Sequence, residues 1–162
     1  MIGWRCMAIH LFTRTQIIPA PLDECWRFFS TPENLARLTP PALGMEVVGE
    51  CPATMHAGMM FTLRVRPLLG LPLTWLTEIT HVEPPHYFVD EQRTGPYRVW
   101  HHEHHFRALG ERRTEMRDVV HYVLPFGWLG GLVHPWLVAP ELRRIFAFRE
   151  NAVRKIFGAD AG

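Results

Sequence analysis

From Gly44 to Leu124 the apolar residues recur with a period of two, and no helical spacing returns within that span. About half of the chain is thereby committed to strands and short turns, which excludes a helical bundle and an alternating strand–helix order. Pro52 with Gly58, Pro67 through Gly70, Pro84-Pro85, Gly95-Pro96 and Leu109-Gly110 break the span with residues suited to turns. The strands expected between the breaks are 45–51, 58–66, 71–83, 86–94, 97–107 and 113–124, an antiparallel meander.

Residues 8–18 alternate and are rich in β-branched and aromatic types, so they read as a first strand ending at Pro19. Pro21 with Asp23-Glu24 opens a short helix whose stripe is Leu22, Cys25, Trp26 and Phe29; a second short helix follows over Asn34–Leu38 and stops at Pro40-Pro41. Residues 140–157 form the strongest helical pattern: Pro140 and Glu141 suit its first turn, Arg154 and Lys155 its last, and Gly158 its C-terminal cap. Leu142, Ile145, Phe146, Ala152, Val153, Ile156 and Phe157 lie on one arc of that helix, and Arg149 falls in the middle of it. Gly131–Ala139 is apolar enough to be helical as well, but Pro135 and Pro140 are expected to kink or split it. The expected class is α+β: a curved seven-stranded antiparallel sheet with two short helices after the first strand and a long C-terminal helix packed across it. One domain, residues 1–162, ordered from about residue 8, accounts for the length.

A net charge of +1, with basic and acidic residues interspersed, argues against a nucleic-acid groove or a polybasic membrane patch. No stretch reaches the ~18 unbroken apolar residues of an integral membrane segment. Cys6, Cys25 and Cys51 are odd in number and lack a C-x-x-C spacing, which fits reduced thiols, and no secretory signal is visible; a cytoplasmic location is expected.

The motif Ile18-Pro19-Ala20-Pro21 with Asp23-Glu24, Trp26-Arg27-Phe28-Phe29 and Ser30-Thr31-Pro32-Glu33-Asn34-Leu35 resembles the opening of SRPBCC or START-like proteins. Pro84-Pro85-His86, Gly95 through His102 and Val123-Leu124-Pro125-Phe126-Gly127 are similar to a bacterial ligand-binding or polyketide cyclase-like subgroup of that superfamily. The resemblance covers the chain from about residue 8 and implies the helix-grip fold. It also implies a cavity for an apolar or amphipathic molecule between the sheet and the C-terminal helix, with the preceding loop at its mouth. Pro135 and Pro140 depart from the uninterrupted helix usual in that family.

Four of the ten histidines fall within five positions, His101, His102, His104 and His105. Strand alternation divides them: Trp100, His102, His104 and Phe106 face one way, and Tyr97, Val99, His101, Glu103 and His105 the other. Centring the last hairpin near Gly110 sets His102 opposite Asp118, His104 opposite Met116 and Trp100 opposite Val120; the Gly95-Pro96 turn sets Asp90 beside His102 and Phe88 beside His104. The face with Met116, Val120, Tyr122 and Leu124 is the more apolar and is expected to meet the helix, leaving His101, Glu103 and His105 as a solvated outer row. Asp90, His102, His104, Asp118 and Arg149 then form a polar island in an apolar surround.

Three readings fit that island. It pins the helix to the sheet; it orients the polar head of a ligand held by Trp100, Phe106, Tyr122 and Phe146; or His102, with Asp90 or Asp118, acts as acid or base in a polyketide cyclase or hydratase-like enzyme. No G-x-S-x-G motif is present, and no cysteine lies near the histidines in sequence. His102-x-His104 with an aspartate is a spacing that ligates zinc, yet a lone H-x-H is a weak signal, so neither metal nor cofactor is expected. Binding of a hydrophobic or amphipathic small molecule is the favoured function. An interaction module presenting Phe126, Trp128 and Trp136, on a homodimer face for example, is the alternative from another class.

Overall fold

The computed structural model describes residues 8–52, 54–66, 71–125 and 134–159. Seven strands form one antiparallel sheet: β1 (His10–Ile18), β2 (Glu46–Val48), β3 (Met60–Val65), β4 (Leu73–Glu83), β5 (Tyr87–Thr94), β6 (Val99–Gly110) and β7 (Arg113–Val123), in the order β1-β7-β6-β5-β4-β3-β2. The meander is therefore continuous from β2 to β7, and the first strand closes the far edge against the last. Register shifts in β4 against β5, between Leu76 and Thr77 and between Ile79 and His81, mark bulges of the kind that bend a sheet.

Helix α1 (Leu22–Phe29) lies where the proline and acidic pair place it and buries Cys25 and Phe29. The second short helix is a 3₁₀ segment over Pro32–Leu38, followed by another at Pro41–Leu43. Pro32, Pro40 and Pro41 crowd this stretch, and tight turns tolerate their missing N–H groups better than a regular helix does. Helix α2 (Ala139–Phe157) continues from a π-turn over His134–Val138. The prolines neither split nor end it: Pro140 stands in the first α-turn, where no N–H is required, and Pro135 stands in the first positions of the wider π-turn.

The core is in two parts. Phe29, Phe61, Ile79, Phe88, Phe106, Met116 and Val153 belong to one, under α1 and the end of α2; Trp100, Val120, Tyr122, Leu124, Leu142 and Phe146 form the other, under the start of α2. Along β6 the inward series runs Trp100, His102, His104, Phe106, and along β7 it runs Met116, Asp118, Val120, Tyr122. On α2 the buried stripe is Leu142, Phe146, Arg149, Val153. Polar residues interrupt all three series at the junction of the two apolar clusters, and this belt positions the site.

The last hairpin centres one residue later than expected. His102 stands opposite Val120, His104 opposite Asp118, Trp100 opposite Tyr122 and Phe106 opposite Met116, because the turn falls at Glu111-Arg112 with a register irregularity at Ala108/Gly110. The slip is two residues of pairing, an even number, so every side chain keeps its face. Asp90 opposite His102 and Phe88 opposite His104 are as the Gly95-Pro96 turn implied.

Candidate functional site

Between the sheet, the 3₁₀ segments and α2 lies a cavity of about 440 Å³. Its wall is largely apolar: Phe28, Phe29, Leu35, Leu38, Met45, Met55, Phe61, Leu63, Ile79, Phe88, Trp100, Leu142 and Phe146 all contribute. Asp90, His102, His104 and Arg149 reach the same wall. A volume of this size, with few polar groups converging on it, is the ordinary form of a small-molecule site.

The polar belt closes into a ring. His102 Nε2 donates to Asp118 Oδ1 at 3.0 Å, and His104 Nε2 donates to Asp90 Oδ2 at 2.7 Å. The other nitrogens lie close as well, His102 Nδ1 at 3.3 Å from Asp90 Oδ2 and His104 Nδ1 at 3.1 Å from Asp118 Oδ1. Each imidazole thus sits between both carboxylates, and the two rings are 3.9 Å apart at their centroids. Arg149 Nη2 is 3.6 Å from Asp118 Oδ1 and 3.5 Å from His104 Nδ1, and its guanidinium lies against the rings of Phe29 and Phe146. Its Nε is buried and has no hydrogen-bond partner among the described residues.

Charge in so dry a place must balance. Burial alone would raise the carboxyl of Asp90, but His102 and His104 hold it well below the usual carboxylate range. Asp118 is likewise held down, by Arg149 and then by the two histidines, against its burial. Burial disfavours an imidazolium at His102, yet Asp90 and Asp118 lift it above its ordinary value. His104 goes the other way: burial and the neighbouring His102 charge outweigh the same two carboxylates. The two carboxylates thus face the Arg149 guanidinium and a His102 ring whose protonated form they favour.

Of the residues proposed from sequence for the ligand, Asp90, Trp100, His102, His104, Phe146 and Arg149 are on the cavity wall, whereas Phe106, Asp118 and Tyr122 are not. Phe106 packs under α1 against Trp26 and Phe29, and Tyr122 is covered by the π-turn, its hydroxyl donating to His134 Nε2 at 2.6 Å. Asp118 sits behind the histidines. His101, Glu103 and His105 do form an outer row, half-buried and paired with neighbouring groups: His101 Nδ1 lies 2.7 Å from Glu91 Oε1, and His105 Nε2 donates to Glu103 Oε2 at 2.8 Å.

Tyr97 departs from the expected outer face. β6 begins at Val99, so Tyr97 belongs to the turn and its ring packs against Trp75 and Trp100 on the cavity wall, where burial pushes its phenol up. Phe28, Leu35, Leu38, Met45 and Met55 reach the wall too: Phe28 lies off the expected α1 stripe, Leu35 and Leu38 sit in a 3₁₀ segment, and Met45 and Met55 lie just before β2 and between β2 and β3. Trp136 is 85% exposed, while Phe126 and Trp128 lie outside the described residues. No helix of the described residues is long and apolar enough to cross a membrane.

A family model described as polyketide cyclase / dehydrase and lipid transport matches residues 18–144. No curated protein matches the chain in sequence. Among solved structures, the Zhui aromatase/cyclase from Streptomyces sp. R1128 is similar at a TM-score of 0.71 and 19% identity, with 92% of this chain and 96% of that one covered. Protein CV1439 from Chromobacterium violaceum is similar at 0.70 and 12% identity, covering 93% and 99%. Norcoclaurine synthase from Thalictrum flavum, solved with dopamine and hydroxybenzaldehyde, is similar at 0.64 and 15% identity, covering 93% and 87%. At these identities the likeness is one of fold.

Proposed function

The chain belongs to the polyketide cyclase / dehydrase and lipid transport family, within the SRPBCC or START-like superfamily, and on that premise we propose that it binds one amphipathic, mainly apolar molecule between its sheet and α2. The observation that carries this reading is the cavity itself: about 440 Å³ of largely apolar wall with Asp90, His102, His104 and Arg149 at one place on it. The apolar body of the ligand fills the space between Phe61, Leu63, Trp100 and Phe146, and its polar end meets the belt. An oxygen on that end supplies the acceptor that Arg149 Nε lacks. The free thiols of Cys25 and Cys51 accord with a cytoplasmic setting.

Native mass spectrometry of the purified chain tests the reading directly. A small molecule retained at one per chain, and lost from Leu142→Trp, which fills the cavity, is the expected result. Failure of both a retained ligand and a displaceable apolar dye would overturn it.

One observation favours a second reading, acid–base catalysis on a polyketide-like substrate. His102 stands on the cavity wall at 3.0 Å from Asp118 Oδ1 and 3.3 Å from Asp90 Oδ2, and these carboxylates favour its protonated form. His102→Gln separates the two: a catalytic His102 makes turnover of a bound substrate vanish while binding persists.

A further inference from the structure

The His-x-His pair on β6 is by itself a weak signal for a metal ion, and what strengthens it is the position of Asp118. Asp118 Oδ1 is 3.0 Å from His102 Nε2 and 3.1 Å from His104 Nδ1. One carboxylate therefore stands within reach of an N–H on each ring, in both cases on the side away from Asp90. In the tautomers that direct both protons at Asp118, with the His104 Nε2 proton given up, the lone pairs of His102 Nδ1 and His104 Nε2 turn toward Asp90 Oδ2, at 3.3 and 2.7 Å. Three acceptors facing one another at such distances repel, and a cation among them removes the conflict. In the metal-free ring described above N–H groups face Asp90 instead; a bound metal ion takes their place.

We propose that Asp90, His102 and His104 form a three-ligand site for a divalent first-row transition metal ion, with Asp118 orienting both imidazoles from behind.

Geometry, ligand chemistry and access support the assignment. One donor atom from each of the three residues lies within 4.8 Å of the others, the sole such group among the described residues. Zinc bonds of about 2.0–2.1 Å in a tetrahedron set donors about 3.3 Å apart. The His102–Asp90 pair, at 3.3 Å, is already at that spacing, and the His104–Asp90 pair, at 2.7 Å, opens by about half an ångström. Two imidazoles and a carboxylate are the donor set of open zinc and non-haem iron sites, and a carboxylate on the far nitrogens is their usual support. Asp90, His102 and His104 all line the cavity while Asp118 does not, so the remaining coordination position faces the space assigned to the ligand. Arg149 approaches from the Asp118 side, at 3.6 Å from its Oδ1, and offsets that second carboxylate. If the ligand reading of the preceding section is right, the ion polarises an oxygen on the ligand's polar end. The metal site itself rests on the donor set alone.

The experiment uses the full, untagged chain, stripped with a chelator and titrated with Zn²⁺ alone by calorimetry and with Co²⁺ alone by visible absorption. One equivalent per chain, with the Co²⁺ absorption of a four- or five-coordinate nitrogen/oxygen site, is expected. His102→Ala and His104→Ala abolish it, Asp90→Asn weakens it, and Asp118→Asn weakens it by about 10- to 100-fold. His101→Ala with His105→Ala, on the outer row, leaves it unchanged. Circular dichroism checks that each variant is folded, and the shape-conserving Asp90→Asn and Asp118→Asn stand in where an alanine variant fails to fold. The proposal is overturned if the wild type takes up no stoichiometric ion, or if the outer-row variant loses binding while Asp90→Asn and Asp118→Asn keep it. Native mass spectrometry of the stripped protein distinguishes this failure from that of the ligand reading, since a small molecule retained without metal leaves the cavity assignment intact.

Discussion

Replacing Asp118 by Asn tests the belt most severely, because it alters one charge and almost no volume. Asp118 is 5% exposed, and its Oδ1 faces His102 Nε2, His104 Nδ1 and Arg149 Nη2 at 3.0, 3.1 and 3.6 Å. The amide leaves the Arg149 guanidinium and the His102 imidazolium with Asp90 as their one remaining carboxylate. Removing one partner from a buried ion pair costs about 3–5 kcal/mol. A domain of this kind is stable by only about 5–15 kcal/mol in total. At about 2–4 °C per kcal/mol for a chain of this length, the melting temperature should fall by about 6–20 °C. Urea titration followed by tryptophan fluorescence and circular dichroism measures the loss. Adding Arg149→Met to Asp118→Asn removes the stranded cation in favour of an apolar chain of similar reach, so the double variant should regain about 1–3 kcal/mol relative to Asp118→Asn alone. The reasoning fails if Asp118→Asn costs less than about 1 kcal/mol, or if the two substitutions simply add.

Three further outcomes follow from the same structure. Because His102 is raised above its ordinary 6.5, its proton stabilises the fold fully below that value and the contribution is lost as pH climbs through the folded-state value. The stability gap between wild type and His102→Gln should therefore be widest below about pH 6.5 and shrink above it, and a gap constant up to pH 9 would contradict the assignment of the imidazolium. Leu142→Ala, at a buried position on the cavity wall, should cost about 2–5 kcal/mol by chemical denaturation while leaving room for a longer ligand; a neutral result would mean that α2 does not rest on this residue. Burial pushes the Cys25 thiol up to about 11, so peptide mapping after alkylation at pH 8 should find Cys51 modified and Cys25 protected until the protein unfolds.

What could be read in the sequence divides along a physical line. Alternation fixes which face a strand residue takes, and facing tolerated the error in the last turn: moving the centre from Gly110 to Glu111-Arg112 exchanged partners but kept Asp118, His102 and His104 on one side. His102 still reaches Asp118 along the diagonal between neighbouring pairs. Arg149 was visible for a similar reason, as a charge on the stripe between Phe146 and Val153. Tyr97 was misplaced because alternation was extended two residues past the start of β6, into a turn where it no longer applies. The wall built by Leu35, Leu38, Met45 and Met55 was not legible, since short 3₁₀ turns, irregular chain and a strand end are too brief to show a period and their inward direction is set by what they pack against.

The belt's composition bears on whether it serves docking or chemistry. Helix α2 is already held to the sheet by Leu142, Phe146 and Val153 in the two cores, and at the β1 edge Arg14 pairs with Glu150 while Gln16 Nε2 donates to the Glu150 carbonyl at 3.1 Å. Apolar residues at positions 102, 104, 118 and 149 would join the two cores into one, and such replacements of buried ion pairs are often neutral or stabilising. Stability alone therefore gives no reason for the ring to be polar. Nor does the ring satisfy every group in it: Asp90 keeps a fifth of its side chain exposed, Arg149 Nε has no acceptor among the described residues, and three of the five residues crowd their donor atoms together beside the cavity. Groups left open toward the cavity are what the proposed ligand site needs, and docking α2 does not require them.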